Sequence, residues 1–130
     1  LTDPAVLDML NHFAVRKTLA VIPIREEDER SQHRRAIVPP VPVAEIAAAA
    51  EAFPALEILV LNGFADELAK LNFPNVYYDF AFVERFDTLR ANAAKLDAKR
   101  LVFGSHAPFF YPEAAISKLN HEFPMERILR

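Results

Sequence analysis

Four side chains in this sequence have the types and the placement to do chemistry together: Arg25, Asn62, Asp79 and His106. Each stands at or near the end of a short apolar run. His106 follows Leu101-Val102-Phe103-Gly104-Ser105, and its neutral imidazole can take a proton near neutral pH or ligate a metal. Asp79 lies late in the run Asn75-Val76-Tyr77-Tyr78-Asp79-Phe80-Ala81, where an acid is expensive unless it is paired or functional. On one face of such a strand it can bind a cation or accept a proton; on the other it caps or pairs with an arginine. Arg25, after Ile24, either clamps an anionic group or points outward. Asn62, before Gly63, either hydrogen-bonds a substrate or serves as a turn residue. The set reads as a catalytic pair, His106 and Asp79, beside two substrate-binding groups, Arg25 and Asn62, with His106 also the candidate metal ligand.

The elements that must carry these residues alternate in type. Residues 4–16 have apolar positions at Val6, Leu7, Leu10, Phe13 and Ala14, the spacing of a helix, behind Thr2-Asp3-Pro4 as cap and first turn. Residues 18–24 are a nearly continuous apolar run, the pattern of a strand buried on both faces, with Pro23 marking its end or a bulge. Residues 43–53, with four consecutive alanines, predict a helix that Pro54 stops. Strands follow at 56–61, 75–81 and 100–103, with helices at 64–71, 84–96 and 112–120, and 125–130 begin another helix. Strands separated by helices imply parallel βαβ units, and in such folds ligands sit beyond the carboxyl ends of the strands. Every one of the four chemical residues falls there.

The segment Phe103-Gly104-Ser105-His106-Ala107-Pro108 resembles the eighth-strand segment of the amidohydrolase superfamily, in its group of small-molecule hydrolases and decarboxylases. Those proteins typically read apolar-apolar-Phe-Gly-[Ser/Thr]-Asp-x-Pro there, and His106 stands where they carry a metal-binding aspartate. The resemblance implies an α/β fold of parallel βα units forming about half of a (β/α)8 TIM barrel, its strands corresponding to the fifth through eighth. It implies a metal-dependent hydrolase acting on a small molecule, with a divalent metal, zinc first, as cofactor. The family also places a metal-binding histidine near the position of Arg25 and commonly His-x-Gly near Asn62-Gly63. With Arg25, Asn62 and His106 in those places, the alternative is a barrel-fold binding or structural protein that has lost the usual metal site.

Composition limits the remaining classes. The 130 residues are 52% hydrophobic and 25% charged, with a net charge of −3 and no basic cluster beyond His33-Arg34-Arg35, so a nucleic-acid partner is not indicated. There are no cysteines, which excludes disulfides and thiolate metal sites and fits a cytoplasmic protein. The apolar stretch 36–50 is interrupted by Pro39, Pro40, Pro42 and Glu45, so it does not suit a bilayer. No phosphate-binding glycine loop, Gly-x-Ser-x-Gly elbow or His-Glu-x-x-His motif occurs. The charged run 25–35 reads as a solvated βα loop that can bring His33 toward His106, while His12 and His121 read as surface residues. The sequence opens on Leu1 and stops in a helical pattern, so we expect a single domain, residues 1–130, that is the carboxy-terminal part of a barrel needing about 200 residues or more. The missing half of the same chain, or a second copy in a homo-oligomer, is expected to cover its open sheet edges.

Overall fold

Asp3 starts the first helix by accepting a hydrogen bond from the Ala5 N–H at 2.8 Å, and Pro4 follows where a missing N–H costs nothing. This helix, α1 (Pro4–Arg16), ends at Lys17, whose φ of 52° turns the chain so that the Thr18 N–H meets Phe13 O at 2.9 Å. The computed structural model describes residues 1–27, 32–82 and 96–122. The further elements are β1 (Ala20–Pro23), α2 (Val43–Ala52), β2 (Ile58–Leu61), the single turn α3 (Ala65–Leu68), β3 (Val76–Asp79), β4 (Leu101–Val102) and α4 (Pro112–Glu122). The helix expected at 84–96 lies, apart from Leu96, outside the described residues, as does the one beginning at 125. No helix among the described residues is long and apolar enough to cross a membrane.

All strand pairs are parallel, and the order in the sheet is β1-β2-β3-β4, the order of the sequence. A parallel sheet wound in one direction, with α2 and α3 between its first three strands, is the arrangement of about half of a (β/α)8 barrel. The register sets Ile22, Val60, Tyr78 and Leu101 side by side.

That row and the row Ala20, Ile58, Val76 form one face, which packs against Leu10 of α1, Ile46, Ala49 and Ala50 of α2, and Leu68 of α3. Ile58, Val60, Val76 and Tyr78 have no exposed surface. Burying each aliphatic side chain among them contributes roughly 1.5–3 kcal/mol. The other face carries Val21, Leu59 and Tyr77 and is partly open, Val21 being 52% exposed. The expectation that β1 is buried on both faces is therefore corrected. Its continuous apolar run supplies the buried face at Ala20 and Ile22 and leaves Val21 on the open one.

Several strands are also shorter than their apolar runs. Thr18 and Leu19 belong to the turn that closes α1, and Arg100 ends a 3₁₀ turn, Ala98–Arg100, that delivers the chain to β4. The guanidinium of Arg100 bonds Phe73 O and Asn72 Oδ1 and lies over the Tyr78 ring, tying the start of β4 to the start of β3. Asn75 does similar work one strand earlier. Its Nδ2 donates to Ala50 O, Phe53 O and Leu56 O at 3.2, 3.2 and 2.9 Å, satisfying carbonyls left over where α2 ends.

Candidate functional site

The carboxyl ends of β1, β2 and β3 are joined by side chains rather than by loops alone. At the end of β1 the chain passes through Ile24 to Arg25, whose guanidinium is buried. Its two terminal nitrogens meet Glu67 bidentately, at 2.9 Å to Oε2 and 2.6 Å to Oε1, and one of them also donates to Asn62 O at 2.7 Å. The cation lies 4.1 Å from the centre of the Phe64 ring. Glu67 is itself fixed, because its Oε2 accepts the Phe64 N–H at 2.8 Å where α3 begins. An anion clamp needs a guanidinium directed at its ligand; here the terminal nitrogens serve Glu67 and the backbone of Asn62.

Asn62 has a φ of 60°, a left-handed conformation that asparagine tolerates better than most residues. Its Nδ2 donates to Arg25 O at 2.8 Å, and its backbone N–H donates to Asp79 Oδ1 at 2.9 Å. So Asn62 is a turn residue, and in that turn it aims a backbone N–H at the carboxyl group on the next strand.

Asp79 ends β3 and alternates with Tyr78 onto the open face of the sheet, yet only 3% of it is exposed. Burial pushes its pKa above the usual carboxylate value. Hydrogen bonds from the Asn62 and Ala81 amides and the charges of His106 and Lys118 oppose that rise without cancelling it. Gly104 packs directly on the carboxyl: a Cβ there would overlap Asp79 Oδ2 and come within 2.7 Å of its Cβ and Cγ. The glycine after β4 is thus required for room.

His106 follows in the loop after β4. Its φ is 52°, and its carbonyl accepts the N–H groups of Phe109 and Phe110 at 3.0 and 3.1 Å. That tight turn folds two aromatic rings back on the imidazole, with ring centres at 5.3 Å for Phe109 and 5.2 Å for Phe110. Phe82 closes a third side at 5.0 Å. Within this box Nε2 is buried and has no hydrogen-bond partner among the described residues. Lys118 of α4 reaches the same region, donating to Ala81 O at 3.0 Å.

The structure thus brings Arg25, Asn62 and Asp79 into one hydrogen-bonded line and sets His106 within electrostatic reach of Asp79. His33 stays apart. It is exposed in its own turn, its Nδ1 accepting the Arg35 N–H at 3.2 Å, while Gln32 closes the loop through both backbone polar groups of Val38. Glu67 and Phe82 were not singled out by sequence, and Gly104 entered only as part of the motif around His106, without its contact to Asp79. Glu67 had a readable signal, an acid at the third position of a helix that opens just after Gly63.

This chain matches no protein-family model and no curated protein sequence. Among solved structures it is similar to 2,6-dihydroxybenzoate decarboxylase from Rhizobium, with a TM-score of 0.64 at 14% identity over 97% of this chain. The same enzyme complexed with 2,6-dihydroxybenzoate gives the same values. At that identity the likeness is one of fold, a partial TIM barrel. The chain spans 52% of the length of either neighbour.

A divalent metal, the cofactor that the resemblance implies, does not fit the residues present. Among the described residues no group of three His, Cys, Asp or Glu side chains converges. The ends of β1 and β2 offer a guanidinium engaged with a carboxylate and an asparagine engaged with backbone, neither of which is a metal ligand set. Among the described residues of the cluster His106 Nε2 is a buried nitrogen without a partner, and one imidazole does not make a site.

Proposed function

We propose that residues 1–130 form a single domain that is the carboxy-terminal half of an amidohydrolase-like (β/α)8 enzyme acting on a small molecule. In this reading Asp79 and His106 move a proton on the substrate, while Arg25 and Asn62 hold the floor of the binding mouth. One observation carries it: a buried carboxyl with a raised pKa lies within electrostatic reach of an imidazole whose Nε2 has no partner among the described residues, at the ends of neighbouring strands. A carboxyl whose burial favours its protonated form is suited to donate a proton, and an imidazole nitrogen without a partner is free to bond the reacting group. The rings of Phe82, Phe109 and Phe110 add flat apolar walls suited to a small planar substrate. Hydrolysis and decarboxylation both require a proton at the reacting atom, and this pair supplies one in either case.

The rest of the barrel comes from a further four-stranded unit, supplied by the same chain or by a second copy. The half-open face of Val21, Leu59 and Tyr77 and the unpaired outer edge of β1 support this. A cytoplasmic location is part of the same reading and rests on the absence of cysteine.

The test is turnover by the full-length protein. It is incubated with 2,6-dihydroxybenzoate, the ligand of the structural neighbour, and with a panel of small aromatic amides and esters. Carbon dioxide and hydrolysis products are measured with and without a chelator. We expect turnover of at least one class, lost in both His106→Ala and Asp79→Asn. Turnover that survives both substitutions, or none with any compound, sinks the enzymatic reading. The second reading, a binding protein on a barrel fold, is favoured by the Arg25–Glu67 pair at a strand end where such enzymes hold a ligand. Saturable binding of an aromatic acid without turnover would support it.

A further inference from the structure

We propose that Glu67 is a positioning residue for the Asp79–His106 pair, acting through Arg25 and Asn62; this rests on the reading of that pair as the acid–base groups. The hydrogen bonds form an unbroken line. Glu67 takes both terminal nitrogens of Arg25, Arg25 donates to Asn62 O, and the Asn62 N–H donates to Asp79 Oδ1. Each link crosses from one strand end to the next, spanning 37 residues between Arg25 and Asn62 and 17 between Asn62 and Asp79.

The critical member is the peptide at Asn62. At a φ of 60° its orientation is held by contacts on both sides of the residue, its carbonyl and its Nδ2 each engaging Arg25. If the guanidinium turns, the carbonyl loses its donor and the N–H loses its aim at Asp79. Two features lock the guanidinium against turning: the bidentate carboxylate of Glu67 and the face of Phe64. Glu67 also neutralises the buried cation, so that Arg25 does not become the counter-ion of Asp79. Besides Arg25, Glu67 is held by the Phe64 N–H at the start of α3, a contact outside the line that runs to Asp79. The carboxylate is therefore an anchor in α3 for geometry expressed at β3.

Amide hydrogen exchange in the full-length protein tests this without turnover, so an inactive protein would refute the proposed function and leave this measurement standing. In Glu67→Ala the Asn62 amide is expected to exchange roughly tenfold faster, the loss of about one hydrogen bond, while the Ile58 amide in the same strand keeps its rate. Asp66→Ala removes a neighbouring exposed carboxylate of α3 and should change neither. Glu67→Gln, which keeps one acceptor, should fall between, and it carries the same comparison if the alanine variant does not fold. An unchanged Asn62 rate in the Glu67 variants overturns the proposal. So does equal acceleration of Ile58, which would make Glu67 a support for the whole sheet.

Discussion

Gly104 and Asp79 touch so closely that no side chain fits between them: a Cβ at Gly104 would lie 2.7 Å from Asp79 Cγ and overlap Oδ2. The contact joins the loop after β4 to the last residue of β3. Gly104→Ala must displace one of them, and overpacking of this kind costs roughly 1–3 kcal/mol. We expect the variant to unfold at lower denaturant concentration and to lose the Asn62–Asp79 hydrogen bond, seen as an upfield move of the Asn62 amide proton. A variant as stable as the wild type would mean that the two segments are free to separate.

Stability should depend on pH through Asp79. Burial raises its folded pKa above the unfolded value, so the folded state holds this proton more tightly than the unfolded one. The contribution is fully present below the unfolded value and is lost as pH rises through the folded value. Asp79→Asn removes that loss, since an amide oxygen can still accept the Asn62 N–H. We expect the variant to melt above the wild type at pH 8, by a margin that shrinks as the pH is lowered. Thermal melts at a series of pH values decide it, and a gain that grows on acidification would reverse the sign argued here.

Asn75 offers a stability test away from the site. One amide nitrogen serves three carbonyls where α2, its exit turn and β2 meet. Asn75→Ala leaves them without this donor and should cost about 1–3 kcal/mol. Chemical denaturation measures it; a loss below about 0.5 kcal/mol would show that water replaces the side chain.

The four strand-end residues were legible because apolar runs end where strands enter loops, and Arg25, Asn62, Asp79 and His106 all stand at such breaks. What holds them was not. Glu67 meets Arg25 across 42 residues, and no local pattern reports a partner at that distance. The bonding of Arg25 shows the same limit, since sequence distinguishes an arginine at a strand end but not the direction its guanidinium takes. Strand lengths were overread for a related reason. Hydrophobicity marks burial, which continues past the last paired residue, as Ile24 and Phe80 show by being buried outside β1 and β3.

His106 allows its backbone and side-chain roles to be separated. A φ of 52° is tolerated by asparagine, so His106→Asn should keep the turn that brings Phe109 and Phe110 together while removing the imidazole. We expect near wild-type stability and at least about a hundredfold loss of whatever turnover the full-length protein shows. His106→Ala should lose activity to the same extent. Full activity in either variant would make His106 a structural residue.

The order β1-β2-β3-β4 also bears on how the chain acquires its structure. Every strand pairs with the one made just before it, so a chain leaving the ribosome can add each strand to a sheet already begun. No strand in this set waits for a distant later segment. Each crossover joins strands that are neighbours in the sheet, so every closure is made against a strand already present. The long-range bonds of Arg25 can form once Asn62 and Glu67 have emerged, before β3 and β4 are made. The candidate site is completed later, when Asp79 and then His106 arrive with the last two strands.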